Sequence, residues 1–444
     1  IRRQRQMCIR DSYSFTLREG LKFSDGTPLT TKDVIASIKR WGARDNLGAK
    51  LLAAAEKLEA KDDRTFTLDF KKPFGMVLDA FSKPSSIPLF VMPEKVAQTD
   101  PFKQITDMTG SGPYMFAADR YRPGEKVVYL KNPYYVPRNE PADGTAGGKH
   151  VYVDELDWVI LRDAQTVANA IEKGEVDVVE MVPNEQYSVL KKNPDIQLLN
   201  QTGKQSAMLH LNHAIPPFNN PKIAQAALMA INQAALQRAQ IVHKELWNTC
   251  TSIYPCGSLY ASDKTDYFTG KPQFKRAQEL LKEAGYDGTP VVLMLPADMP
   301  SLNKYPPVMA ELLRRAGFKV DLQSMDWATL VTRRTKSSPV SEGGWNGFIT
   351  FWNQADTFNP LFFAPLTGSG LKGWFGWTDD PKLEALKDEF VGTSDLAKRK
   401  ELAEGIQLRV MDSGVYGMLG EAKPIIALRK NISGLVEAPI SVFW

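Results

Sequence analysis

The sequence predicts an α/β protein whose second half is built on parallel strands. Strand-like and helix-like segments alternate from about residue 290 to 355, the pattern of parallel strands joined by helices. The 444 residues are enough for two or more domains with cores of their own. Apolar residues make up 43% and charged residues 24%, which is ordinary for a globular chain. The net charge of +4 is small and scattered, so it argues against a nucleic-acid partner. No apolar run is long enough for a transmembrane helix.

The elements follow in chain order. Residues 13–17, YSFTL, alternate as a strand does. In FSDGTPLT, Asp25-Gly26 is a turn dipeptide and Pro28 stiffens the exit. Thr30 or Thr31 then caps a helix, with Asp33 placed to complete a capping box and Val34, Ile35, Ile38 and Trp41 as its apolar stripe. Residues 51–58 form a second amphipathic stretch, and 64–70 alternate as a strand that ends at Lys71-Lys72-Pro73. A Gly-Pro turn enters a strand in 110–116, and 126–130 reads as its hairpin partner. Residues 137–149 are rich in Pro, Gly and charge and read as a surface loop. A strand at 151–161, a helix at 164–173 stopped by Gly174, and a short strand at 176–179 predict a β-α-β unit.

Further on, 208–212 is a strand and 222–231 an apolar helix. Helices at 274–284 and 308–316 end at Gly285 and Gly317, and strands at 291–295 and 320–324 follow them. Residues 382–390 and 396–410 are helical, and 425–428 is a late strand.

Catalytic and cofactor signatures are mostly missing. GxSxG, HExxH and a Gly-Lys followed by Ser or Thr do not occur. One GxGxxG does, at Gly368, Gly370 and Gly373, but no clear strand precedes it and no helix follows, so it reads as a flexible loop. His210 and His213 stand three apart in a strand-like stretch, on opposite faces, which makes a poor chelate and suits a core or surface role. Asp62-Asp63 and Asp379-Asp380 read as solvated turn residues. The chain is therefore expected to be a non-enzyme without cofactor or metal. Cys250 and Cys256 lie six apart in NTCTSIYPC; they can form a small-loop disulfide or remain two free thiols.

The most informative segment runs from Trp345 to Trp377. It holds ten aromatics in 33 residues, about threefold the chain average of 10%. A buried strand at 347–352 runs into the polar loop NQAD with Asp356. Aromatic walls beside one carboxylate suit a pocket for an amine-bearing, partly apolar ligand; a core strand with a solvated Asp is the other reading.

Several blocks then resemble one family. LREGLKFSDGTPLTTKDV (17–34), GSGPYMF with KNPYY (111–135), AIEKGEVDVVE (170–180) and LNHAIPPFNNPKIAQAALMAIN (211–232) are similar, in order, to the family 5 extracellular solute-binding proteins. RAQELLKEAGY (276–286), VMAELLRRAGFKVDLQSMDWATL (308–330) and DLAKRKELAEGIQ (395–407) complete the resemblance, which covers residues 13–444.

The resemblance implies a two-lobed periplasmic binding protein-like fold with a hinge and a cleft. It implies lobe 1 over 13–205, lobe 2 over 206–428 and a return to lobe 1 over 429–444. Residues 1–12, IRRQRQMCIRDS, with four arginines, read as a non-native scar; a genuine basic arm is the alternative. The family's first strands and signal peptide are expected to precede residue 13 and to be missing. The resemblance favours the Cys250–Cys256 disulfide. It places Asp356 against a peptide's α-ammonium, with Trp352 and Asn353 beside it and Trp374 as a further wall. Trp327 and Arg334 resemble a cleft Trp and Arg that face ligand side chains or carboxylate, with Arg333 as a substitute if the register slips. The implied protein is a periplasmic or lipid-anchored monomer that delivers oligopeptides or related solutes to ABC permease subunits. Its alternatives are an opine, sugar, metal chelate or aromatic acid as ligand, or a chemosensory or chaperone-like adaptor.

Overall fold

A computed structural model describes residues 12–200, 203–436, 438 and 440–444. Cys8 and the arginine-rich segment fall within residues 1–11, outside the described residues, and Ser12 opens the first strand.

Local signals set the first unit. Thr30 caps the helix Thr31–Gly42. Its backbone N–H and its hydroxyl both donate to Asp33 Oδ2, at 2.8 and 2.9 Å. Val34, Ile38 and Trp41 are buried along the expected stripe and Ile35 is half-buried. The stretch at 51–58 divides: a helix Asn46–Ala54 gives way to a strand Ala55–Ala60. The cause is a hairpin. Asp62 Oδ1 accepts the N–H groups of Arg64 and Thr65, both at 2.8 Å, and folds Ala55–Ala60 back on Thr65–Phe70. Ser12–Thr16 pairs on the other side of Thr65–Phe70, giving a three-stranded antiparallel sheet.

Two more small sheets follow. Tyr114–Phe116, Lys126–Lys131 and Glu155–Val159 form an antiparallel meander. Val178–Val179 and Ile196–Asn200 flank Ile425–Arg429, which returns from the far end of the chain. The helix Ala164–Lys173 forms as expected, with Gly174 at φ +76° behind it. The β-α-β unit around it does not, because Glu155–Val159 and Val178–Val179 belong to different sheets. Local periodicity could not foresee that Val178–Val179 pairs with residues 427 and 428.

The largest sheet has six strands in the order Trp247–Asn248, Tyr416–Ala422, Gln205–Leu211, Gly347–Asn353, Val291–Pro296 and Val320–Met325. Val291–Pro296 runs parallel to both Val320–Met325 and Gly347–Asn353. Gln205–Leu211 is antiparallel to Gly347–Asn353 and to Tyr416–Ala422. Leu209, Leu293 and Ile349 join Met309, Leu313, Ile406 and Val410 in the main core. That core continues into Trp41, Leu51, Phe70 and Phe74 of the first unit.

Asp380 departs from the expected solvated turn. It is buried, caps the helix Pro381–Gly392 by accepting from Leu383 N–H at 3.1 Å, and accepts from Arg409 Nε at 2.7 Å and from the Ser413 hydroxyl. Burial alone would raise its carboxyl pKa, but the Ser413 and Arg409 hydrogen bonds outweigh it and hold the pKa below the usual value. Replacing Asp380 with Ala removes a cap and two further acceptor contacts. It should cost about 2–3 kcal/mol of stability, read as a lower midpoint in urea unfolding.

Candidate functional site

Strand direction decides where the site is. The three parallel strands end at Pro296, Met325 and Asn353, on one edge of the large sheet. Gln205 lies opposite Asn353 and Ala422 lies opposite Gln205, so the antiparallel strands bring residues 205 and 422 to that same edge. The next strand after Ala422, Ile425–Arg429, already belongs to the sheet of Ile196–Asn200. Both chain links between the two sheets therefore flank the carboxyl ends of the parallel strands. In α/β sheets this is the edge at which ligands bind.

Trp327 opens the short helix Trp327–Arg333 that follows Val320–Met325, and Arg334 is the cap residue just past its end. Asp326 caps it, accepting from Thr329 N–H at 2.8 Å, and Trp327 N–H donates to Asp298 Oδ1 at 2.7 Å, which ties two edge loops together. The Arg334 guanidinium sits among four rings: Phe375 at 5.2 Å, Trp327 at 5.7 Å, and Phe348 and Trp374 at 5.8 Å each. Burial pushes its pKa down. Its Nε is buried without a hydrogen-bond partner, and among the described residues no carboxylate pairs with it. Arg333 has a different task. It donates to the carbonyls of Gly343 and Gly344 and to Gln323, fixing the 334–344 loop.

Trp352 joins this group. Its ring lies 5.6 Å from Trp374 and 5.0 Å from Phe363, and its indole N–H donates to His210 Nε2 at 3.2 Å. Strand alternation turns the next residue over. Asn353 faces the other side of the sheet, where its Oδ1 accepts from Gln205 Nε2 at 3.2 Å. Phe351 shares that side and helps line a cavity of about 220 Å³ between the sheets, with Met181, Tyr187 and Ile425 opposite Gln205 and Tyr305.

Asp356 lies in the one-turn helix Gln354–Thr357 just past the strand and is only 5% exposed. Its Oδ1 is buried and unpartnered. Burial raises its pKa, opposed by Ser85, the Asn353 backbone and the charge of Lys83. Lys83 is itself buried in an ion pair with Asp45. Trp327, Arg334, Trp352 and Trp374 thus form one cluster, whereas Asn353 and Asp356 sit at the same edge with separate partners.

Sequence reasoning missed three parts of this edge. His210 takes the core role that was one of the two expected of it, but its part as the acceptor for Trp352 was not foreseen. The 83–85 segment reaches Asp356 from a distant part of the chain. Glu421, fully buried, accepts from Lys204 Nζ at 3.1 Å, from Asn248 Nδ2 at 2.7 Å and from Cys256 N–H at 2.7 Å. Cys250 and Cys256 form a disulfide, with Cα atoms 5.8 Å apart. The carbonyl of Cys256 accepts from Lys204 at 2.8 Å, so the disulfide loop is fastened beside both links.

Comparison with known proteins gives the family and the fold. Residues 10–374 match the family described as bacterial extracellular solute-binding proteins, family 5 middle. The chain belongs to that family. Family 5 proteins are the two-lobed, solute-binding components of ABC importers. Among its relatives is a probable peptide ABC transporter periplasmic-binding protein, y4tO, of Sinorhizobium fredii. It is 36% identical over 440 residues, spanning 98% of this chain and 82% of the relative. The structure of AgaA from A. tumefaciens R10 in complex with agropinic acid superposes with a TM-score of 0.78 at 23% identity, covering 97% of this chain and 84% of that one. DppA from Helicobacter pylori in complex with the peptide STSA gives 0.78 at 19% identity, covering 97% and 85%. No described helix of this family 5 chain is long and apolar enough to cross a membrane.

Glu421 offers a direct test of how the edge is held. Glu421→Ala leaves Lys204, Asn248 and the Cys256 amide without their shared acceptor. The substitution should lower stability by about 3 kcal/mol in urea unfolding, with the disulfide still intact by thiol titration.

Proposed function

We propose that this family 5 protein binds a zwitterionic solute, an oligopeptide in the leading case, at the carboxyl edge of the large sheet. The Arg334 guanidinium carries the proposal. A half-buried cation ringed by Trp327, Phe348, Trp374 and Phe375, with a buried, unpartnered Nε, is a socket for a carboxylate. Asp356 complements it. A buried carboxylate with one free oxygen is stabilised by an arriving ammonium, which removes the burial penalty that raises its pKa. Trp352 and Trp374 supply apolar walls between them.

The likeness to y4tO, described as a probable peptide binder, supports the peptide reading. The likeness to AgaA with agropinic acid, together with an Arg socket that needs only an acid group, supports an opine as the second reading. In either case lobe closure captures the solute and the closed form docks on membrane permease subunits. The lobe division then follows the sheets and the two links between them. The Cys250–Cys256 disulfide supports an oxidising, periplasmic setting, and the protein acts there as a monomer without catalysing a reaction.

Isothermal titration with the peptide Ser-Thr-Ser-Ala and with agropinic acid tests both readings. The peptide should bind, and Asp356→Asn should weaken it at least about 10-fold, or about 1.4 kcal/mol. Arg334→Gln should weaken either ligand by about 30-fold or more, roughly 2 kcal/mol. Binding of the peptide that is indifferent to both substitutions would overturn this placement. Binding of agropinic acid alone, sensitive to Arg334→Gln but not to Asp356→Asn, selects the second reading.

A further inference from the structure

We propose that His210 is a positioning residue: as a neutral acceptor it fixes the indole of Trp352 and backs the ring cage around Arg334. The inference rests on the reading that Trp352 walls the ligand. His210 is 2% exposed and stacks on Phe348 at 5.0 Å, with the two planes 22° apart. Trp374 lies against it at 4.9 Å and Tyr416 at 6.0 Å. Phe348 and Trp374 are two of the four rings around Arg334, so the imidazole forms the layer behind the cage.

The hydrogen bond fixes the chemistry. An indole N–H can only donate, so His210 Nε2 accepts and the ring proton is assigned to Nδ1. The other ring partners of Trp352, Phe363 and Trp374, constrain its position by contact but offer no acceptor. The hydrogen bond to His210 therefore selects one orientation of the indole from those that packing allows. A protonated His210 would turn donor against donor and would place a second cation beside Arg334. Burial first, and the Arg334 charge second, hold its pKa down to about 3. The ionisable groups facing the ring are Arg334, beyond the end of its helix, and Tyr416 on the adjoining strand; Phe348, Trp352 and Trp374 carry no charge.

The two replacements His210→Gln and His210→Phe separate acceptor from bulk. The Trp352 indole N–H, assigned by NMR with Trp352→Phe, should be protected from solvent exchange in the native protein and in His210→Gln. It should exchange at least about 10-fold faster in His210→Phe. For whichever of Ser-Thr-Ser-Ala or agropinic acid the native protein binds, His210→Phe should weaken affinity about 10-fold, and His210→Gln should stay within about 3-fold. Equal protection in all three proteins overturns the proposal, as does equal affinity. Failure of the native protein to bind either probe counts against the function reading, and the indole measurement then decides the His210 assignment by itself.

Acid stability gives a second signature. Below about pH 6.5 the unfolded chain binds a proton that folded His210 refuses, so the native protein loses stability as pH falls from there toward 3. His210→Gln removes that part of the loss, while half-buried His213, with its pKa also lowered, contributes the same sign in both proteins. An unchanged pH profile in His210→Gln overturns the assignment of His210 as neutral.

Discussion

The antiparallel pairing of Gly347–Asn353 with Gln205–Leu211 governs the rest of the molecule. It reverses one strand beside three parallel ones, and so carries the incoming chain link to the edge where the parallel strands finish. Tyr416–Ala422 repeats the manoeuvre for the outgoing link. A one-residue slip in this register would exchange Trp352 with Phe351 and turn the cage residues toward the other face. Register is thus the variable that joins fold to function here. It is pinned on one side by the main core, through Leu209 and Ile349, and on the other by the smaller cluster of Met294, Leu330, Trp345, Phe348 and Trp377.

The polarity of the edge is divided. Arg334 gives up hydration for ring faces, and Asp356 gives it up for a pocket bounded by Lys83 and Ser85. Neither group has a full set of partners. Unpartnered buried polar atoms are costly and rare in folded proteins, and they concentrate where a ligand completes them. Among the described residues, six uncharged side chains, Ser206 and Tyr416 among them, also bury a polar atom without a partner, but other buried charged groups are paired. Asp380 has Arg409, Ser413 and a helix terminus. Lys387 has Glu384 and the carbonyl of Leu366. Among the charged groups, that contrast is what supports the proposed roles of Arg334 and Asp356 toward a solute.

Much of this was legible in the sequence where the cause is local. The Thr30–Asp33 capping box, the Gly174 stop and the alternation after residue 290 depend on neighbours in the chain, and they formed. Aromatic enrichment marked the segment that supplies Phe348, Trp352, Trp374 and Phe375, and the family resemblance placed Trp327 and Arg334 beside it. Features that need a distant partner stayed hidden. The amphipathic stretch at 51–58 gave no sign that Thr65–Phe70 draws Ala55–Ala60 into a hairpin. Val178–Val179 has its partner in Ile425–Arg429. His210 acquires its role from residues 348, 352 and 374, which no spacing around position 210 reveals.

Glu421 bears on how this protein can be recombined. One carboxylate collects donors from residues 204, 248 and 256, three segments that meet only in the folded state. Exchanging any one of them for a relative's sequence strands the others. A chimera that transplants the large-sheet lobe should therefore carry everything from Lys204 through Glu421 as a single block. Its seams belong at Gly203 and within Lys423-Pro424, outside the shared acceptor and ahead of the next strand's pairing.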